Sequence, residues 1–364
     1  MWRYANPVNV VFGAGALDGI GKAIGGRAYG LVTYGDDCFS AMAERIEGSA
    51  GTPVLAVDDV VPNPDFEALD RACRVFGMAS AQPQVVVALG GGSVIDTAKV
   101  MVAAAGDFGR VRAYLDDPGA EAPVALVPVI AVPTTAGTGS EVTRFATVWD
   151  SKAKKKYSLA LESIYPETAL VDPLLALTAP RGLSVATGLD ALSHALESIW
   201  NVNANPVSTA LAIEAARGIL DNLVALAADL GDVRLRERMA RAATLAGLAM
   251  SNTETALAHA LSYPVTLNNG VEHGIACSFS LPLVMRRAIG CTAECDAALR
   301  SIFGPDLEAG ATRLAEFLHG LGISTDPGDH GMREAEWSAL LASALDGARG
   351  RNFLRRQPGH PMPA

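Results

Sequence analysis

Apolar and polar positions follow two different rhythms along the chain. Up to about residue 180, short runs dense in Val, Ile, Leu and Ala alternate with stretches of helical periodicity. VNVVFG (8–13), YGLVTYG (29–35), TPVLAV (52–57), QVVVALGGG (84–92) and ALVPVIAVPTT (125–135) have the length and β-branched content of buried strands. FEALDRACRVFGMA (66–79) and SVIDTAKVMVAAAG (93–106) repeat their apolar residues about one helical turn apart. Strands alternating with helices predict a parallel sheet covered on both faces, and the unbroken apolar run 84–89 predicts a central strand.

Beyond about residue 180 the strand signals stop. SVATGLDALSHALESIW, NPVSTALAIEAARGILDNLVALAADL and RLRERMARAATLAGLAMSNT all read as helices, and Pro180 and Gly182 punctuate the change. The expected architecture is an α/β N-terminal domain with a parallel sheet over residues 1–178, followed by an all-α C-terminal domain over 179–364. The closing stretch RRQPGHPMPA is expected to fray.

Composition narrows the class. The 364 residues are half hydrophobic and 19% charged, so the chain folds and has material for two cores. A formal charge of −10 gives no electrostatic footprint for nucleic acid and argues against a general anionic-membrane binder. Gly, Pro or charge interrupts every apolar run before it could span a membrane. The first residues lack the order of a signal peptide, and five scattered cysteines without a CxxC pair define neither a disulfide framework nor a zinc ribbon. The expectation is a soluble protein of a reducing compartment, cytoplasmic, acting on a small molecule. The apolar surface of a helical domain adds the expectation of a homo-oligomer, a dimer or higher.

Three glycine-rich stretches are candidate ligand loops. Gly13-Ala-Gly15 lacks the spacing of a dinucleotide fingerprint and fits a tight turn. Gly90-Gly91-Gly92-Ser93 follows a predicted strand and opens a predicted helix, where backbone N–H groups favour phosphate, although Ile95 stands where a standard fingerprint has its last glycine. Pro133 to Glu141 (PTTAGTGSE) follows the next strand, at the sheet end where open α/β proteins bind ligands.

Six histidines occur, and three stand near a carboxylate pattern. Asp190 and His194 share a helix face, roughly 6 Å apart along the axis. His259 and His273 lie fourteen residues apart further on. One carboxylate and three imidazoles suit a borderline divalent cation such as Fe(II), Zn or Mn. Spacing equally allows a solvated Asp/His pair and two hydrogen-bonded core histidines.

Together GGGSVIDTAK (90–99), AVPTTAGTGSEVT (131–143), GLDALSHALES (188–198) and the His259…His273 pair resemble the iron-containing (group III) alcohol dehydrogenases, in family order and over most of the chain. The resemblance implies an NAD(P)-binding α/β domain, a metal-binding helical domain and reversible reduction of an aldehyde or ketone. It implies Asp190, His194, His259 and His273 as metal ligands, with Fe(II) the first expectation and Zn or Mn alternatives. It implies Gly91, Gly92, Ser93 and Asp96 at the pyrophosphate, and Thr134, Thr135, Thr138 and Thr143 along the nucleotide. It adds Asn63, Lys156 and Leu183 as further contacts to NAD(H) or NADP(H). Two departures stand out. Tyr34 occupies the place where NAD-preferring members often carry an Asp, with Asp36 and Asp37 nearby, and Tyr263 stands where many members have a relay histidine.

ALAHALSYP, the missing relay histidine, KAKKKYSL and GRNF (350–353) resemble the phosphonate-associated branch of that family, which reduces phosphonoacetaldehyde to 2-hydroxyethylphosphonate. Arg144, Lys155, Arg349 and Arg351 are the candidate anion partners, chiefly Arg144 and Arg351. The lysine run 153–156 also fits a solvated hairpin. Alternatives are a maleylacetate reductase, a general short-chain alcohol dehydrogenase, and a lyase resembling dehydroquinate synthase.

Overall fold

A computed structural model of the chain describes residues 1–117 and 119–355, so the expected fraying beyond residue 355 lies outside the described residues. The chain divides into two compact units, Asn6–Ala179 and a second formed by Pro180 onward together with Met1–Ala5.

Among the described residues the first unit holds eight strands: β1 (Asn9–Phe12), β2 (Tyr29–Val32), β3 (Leu55–Val57), β4 (Val85–Gly90), β5 (Val129–Pro133), β6 (Phe145–Asp150), β7 (Lys155–Ala160) and β8 (Thr168–Val171). Its helices are α1 (Ile20–Ile24), α2 (Asp37–Ala50), α3 (Phe66–Gly77), α4 (Gly92–Ala104) and α5 (Phe108–Asp116). Six strands form one parallel sheet in the order β1-β8-β5-β4-β2-β3.

Alternation along the central strands supplies two cores. Val86 and Ala88 point with Val129 and Ala131 into one cluster, beside residues of α3 and α4. Val85, Val87 and Leu89 point with Ile130 and Val132 into the other, beside Ile20, Ile24 and Ile46. Successive residues of a strand face opposite sides, so a strand buried on both sides has no polar position left. The run 84–89 shows that pattern in the sequence. The edge strand β1 is mostly exposed. An antiparallel hairpin, β6 with β7, lies outside the main sheet.

The second unit is helical: α6 (Arg181–Ile199), α7 (Pro206–Ala228), α8 (Val233–Thr253), α9 (Leu257–Asn269), α10 (His273–Ser278), α11 (Leu281–Ala288), α12 (Ala293–Phe303), α13 (Leu307–Gly320) and α14 (Glu334–Asp346). The helix α6 is buried along almost its whole length from Ser184 to Ile199, which explains its lack of a clean polar face. At Gly188 a Cβ would lie 2.7 Å from Leu223 Cδ1, so this glycine lets α7 approach α6. Asn205 caps α7 in a capping box with Ser208, and Pro206 sits at the first helical position.

Residues 1–5 differ from the expected division. They pack with the helices because the Ala5 N–H donates to Asn252 Oδ1 at 3.0 Å and Asn252 Nδ2 returns a bond to the Ala5 carbonyl at 3.1 Å. No helix among the described residues is long and apolar enough to cross a membrane.

Candidate functional site

Two glycine loops leave the main sheet side by side. Gly90 pairs in register with Pro133, and the Thr134 N–H donates to the Gly90 carbonyl at 3.1 Å. The first loop runs straight into α4, whose N-cap Gly91 offers no side chain, so the first N–H groups of this helix are left to a ligand or water. The second loop folds against the first. A Cβ at Gly92 would lie 2.6 Å from Thr138 Cγ2, and one at Gly91 would lie 3.3 Å from Thr135 Oγ1. Gly91, Gly92, Thr135 and Thr138 are therefore in one place, and Thr134 and Thr143 are buried.

Ser93 joins two more of the expected residues. Its Oγ accepts from the Asn63 N–H at 3.1 Å and hydrogen-bonds the Tyr34 hydroxyl. Asn63 adopts a left-handed φ of 53°, a conformation Asn tolerates better than most residues. Burial pushes the Tyr34 phenol above its ordinary value, against the Ser93 bond.

Asp96 turns inward. Its Oδ1 accepts from Ser140 Oγ at 2.6 Å and its Oδ2 from the Thr147 N–H at 2.8 Å. One turn on, the fully buried Lys99 donates from Nζ to the carbonyls of Ser140, Thr143 and Phe145 at 2.7–2.8 Å. These two side chains of α4 tie down the end of the second loop and the start of β6. Burial pushes the Lys99 ammonium down to about 8, against the pull of Asp96 and Glu141. Lys99 was not among the expected residues; a lysine three positions after Asp96 shares its helix face, which is the signal for it.

The helical unit gathers its own cluster. Asp190 Oδ1 stands 3.6 Å from His194 Nε2 on α6 and 3.4 Å from His259 Nε2 on α9. The His194 and His259 rings stack with centroids 4.8 Å apart, and the His273 ring meets His259 edge-on at 5.6 Å. All four expected ligands thus come together. The helix α10 brings His273 in because Gly274 lets it lie directly on α6: a Cβ there would be 1.9 Å from the Ala186 carbonyl oxygen.

Glu197, outside the expected set, organises the cluster from behind. It is fully buried on α6, three residues after His194. Its carboxylate accepts from the N–H groups of Ala256, Ala258 and His259 at 2.9, 2.5 and 3.2 Å, capping α9 where the N-cap Ala256 has no side-chain acceptor. It also accepts a hydrogen bond from His259 Nδ1 at 2.6 Å, which fixes the ring with Nε2 facing Asp190.

Asp190 Oδ1 and His259 Nε2 are buried and make no hydrogen bond among the described residues. Burial opposes charge on Asp190, yet the His194, His259 and His273 rings outweigh it and hold this carboxyl well below the usual range. A carboxylate oxygen and an imidazole nitrogen facing each other in a dry pocket call for positive charge between them, which a proton on His259, raised well above its ordinary value despite burial, or a bound cation supplies. The donor set therefore fits a divalent metal ion.

The Tyr263 ring stacks near that of His273, with centroids 6.3 Å apart. Arg144 holds Glu162 at 2.6 Å, Arg351 donates to the Asp346 carbonyl at 2.9 Å, and Arg349 holds Glu254 at 2.6 Å. Lys155 and Lys156 lie on the hairpin over the Tyr157 and Trp149 rings. Leu183 is exposed in the first turn of α6.

The iron-containing alcohol dehydrogenase description matches residues 7–173, and the C-terminal description of the Fe-containing family matches residues 184–358. The chain belongs to the iron-containing alcohol dehydrogenase family. It is accordingly an oxidoreductase. Its relatives in this family include the NAD-dependent methanol dehydrogenase of Bacillus methanolicus, 32% identical over 361 residues that cover 95% of this chain and 94% of the relative. The 1,3-propanediol dehydrogenase of Citrobacter freundii is 32% identical over 364 residues, 95% of this chain and 92% of the relative. Among solved structures, sulfoacetaldehyde reductase from Bifidobacterium kashiwanohense in complex with NAD+ superposes with a TM-score of 0.89 at 30% identity, covering 98% of this chain and 95% of that one.

Proposed function

We propose that this member of the family is a metal-dependent reductase that uses NAD(H) or NADP(H), with Fe(II) as its metal and Zn or Mn as alternatives. Its substrate in this reading is a small anionic aldehyde, phosphonoacetaldehyde first, reduced to 2-hydroxyethylphosphonate. The observation that carries the chemistry is the buried Asp190, His194, His259 and His273 cluster with Glu197 behind it. When bound, the metal supplies Lewis-acid polarisation of the carbonyl.

The chain's own residues prepare that site. Glu197 holds the Nδ1 proton of His259 and fixes the ring so that Nε2 faces inward. Burial of Asp190 keeps competing water away from the donors and strengthens their electrostatics. The nicotinamide cofactor supplies hydride, while the paired loops around Gly91, Ser93 and Thr138 supply N–H and hydroxyl donors for its phosphates. In this reading the Tyr263 phenol, whose ring stacks near that of His273, stands in for the relay histidine, and proton passage through the cofactor ribose and water is the alternative route.

Two observations support the anionic substrate. The motifs of the phosphonate-associated branch are present, and the similar sulfoacetaldehyde reductase is named for an aldehyde with a fixed anionic head group. Arg144 and Arg351 would exchange their present partners for that head group. A general short-chain alcohol dehydrogenase is the second reading, favoured by the methanol and propanediol relatives. The lyase alternative is set aside, since both halves of the chain match an oxidoreductase family.

The test is an anaerobic assay of iron-loaded enzyme, following NADH and NADPH oxidation with phosphonoacetaldehyde, sulfoacetaldehyde and propanal. A kcat/KM at least about tenfold higher for an anionic aldehyde, worth about 1.4 kcal/mol, is the expected result. Equal or faster turnover of propanal favours the general alcohol dehydrogenase. An Arg144→Ala, Arg351→Ala double variant that keeps phosphonoacetaldehyde turnover removes those two residues from the head-group role.

A further inference from the structure

Residues 254–256 join α8 to α9 and so set where His259 enters the metal cluster. Glu254 takes φ 62° and ψ 173°, a conformation that residues with a Cβ rarely adopt and keep only where their surroundings impose it. On one side Asn201 Nδ2 donates to the Glu254 carbonyl at 3.1 Å, and Asn203 Nδ2 to the Thr253 carbonyl at 3.2 Å. The other restraints come from far along the chain, in residues 349–354. Arg349 Nη1 donates to Glu254 Oε2 at 2.6 Å, and Asn352 Nδ2 to the Thr255 carbonyl at 2.9 Å. That segment is itself fixed to the end of α6. The Val202 N–H donates to the Asn352 carbonyl at 2.8 Å, the Leu354 N–H donates to the Trp200 carbonyl at 3.1 Å, and Phe353 is buried. The same helix α6 carries Asp190, His194 and Glu197, so the segment ties together two elements whose donors must converge.

We propose that Arg349 and Asn352 are positioning residues of the metal centre: by fixing residues 254 and 255 they set the start of α9, and with it the His259 ring. This role rests on the metal-dependent reading above and deepens it by naming what keeps one ligand in register with α6. The transmission is short. Thr255 is followed by Ala256, whose N–H donates to Glu197 at 2.9 Å, and the N–H groups of Ala258 and His259 reach the same carboxylate. Relaxation of Glu254 towards an ordinary backbone turns these donors away from Glu197 and spoils the bond from His259 Nδ1. A part-exposed ion pair such as Arg349–Glu254 contributes little by itself; here it acts on a residue whose backbone has a more populated alternative.

Zinc affinity of the metal-stripped, full-length protein is measured by competition with a chromophoric chelator, beside a thermal melt of the metal-free protein. Arg349→Ala and Asn352→Ala are each expected to weaken zinc binding about tenfold. Arg349→Lys, which keeps a charged donor for Glu254, is expected to retain near-native affinity. Glu254→Gln removes the ion pair from its other side with little change of shape, and reads the same contact even where Arg349→Ala fails to fold. It should weaken zinc binding to the same degree, and Arg349→Ala added to it should cost nothing more. Native zinc affinity in the single variants, with or without a lowered melting temperature, overturns the proposal and leaves the metal-dependent reading intact. A loss in Arg349→Lys equal to that in Arg349→Ala, or losses that add in the double variant, also overturn it. A native protein that takes up no zinc overturns both.

Discussion

Replacing Gly274 by Ala should dismantle the metal cluster from a distance. The added Cβ would fall 1.9 Å from the Ala186 carbonyl oxygen and 2.7 Å from its carbon, both backbone atoms of α6 that no rotamer change can move. Ordinary contact begins near 3.4 Å, so α10 must withdraw by roughly 1.5 Å, at an overpacking cost of about 1–3 kcal/mol. His273 is the first residue of α10 and moves with it. A ligand displaced on that scale should weaken metal binding by about 10–100-fold and turnover on the order of 100-fold. The assay is metal content after dialysis against graded chelator, with NADH oxidation and a thermal melt on the same preparation. Gly182→Ala is the control, since a Cβ there meets nothing within 4 Å. Native metal retention and turnover in Gly274→Ala would show that close packing of α10 on α6 is not what positions His273.

Three further outcomes are expected. Glu197→Gln breaks the charged bond to His259 Nδ1 and should cost about 10–100-fold in metal affinity, read by competition with a chromophoric chelator; unchanged affinity would remove Glu197 as the residue that fixes His259. Folding lowers the Lys99 ammonium to about 8 from an ordinary 10.5, so between those values only the unfolded chain still holds the proton and stability rises with pH. Lys99→Met should abolish that rise, and parallel urea-midpoint curves for native and variant across pH 7–10 would contradict the buried-lysine account. Gly92→Ala puts a Cβ 2.6 Å from Thr138 Cγ2 and should raise the KM for the nucleotide roughly tenfold, corresponding to about 1.4 kcal/mol, as measured by initial-rate kinetics; an unaltered KM would mean that the fit between the two loops does not shape the nucleotide site.

Much of the fold is legible because the central strands leave little choice. Six consecutive buried residues in β4 and five in β5 admit only a sheet covered on both faces. The strand β8 is harder to read, since its four residues sit between Pro166 and Pro173 and form no run of useful length. The β6–β7 hairpin is masked by lysines: Lys155 and Lys156 read as a solvated run, yet they begin a paired strand. Its register is set by pairing with Phe145–Asp150, a tertiary fact.

The site divides in the same way. Asp190 and His194 are visible together because four residues on one helix make a face. That His259 joins them depends on Glu197 holding the start of α9, and that His273 joins them on the contact at Gly274; spacing encodes neither. Glu197 carries a usable signal, one helical turn past His194, but a complete four-residue ligand set prompts no search for the residue behind it. Asp96 has partners that its motif does not reveal. It sits three residues past Ser93 in a loop-to-helix motif, and α4 turns it towards Ser140 and Thr147 rather than outward.

The most direct measurement of the central claim is a metal titration of stripped enzyme, carried out anaerobically with NADH and an aldehyde in excess. Turnover should be negligible without metal, rise linearly with added Fe(II) and break at one equivalent per chain, with the break abolished in His259→Ala. Full turnover by the metal-free protein, or a rate that ignores His259→Ala, would contradict the assignment of this cluster as the catalytic metal centre.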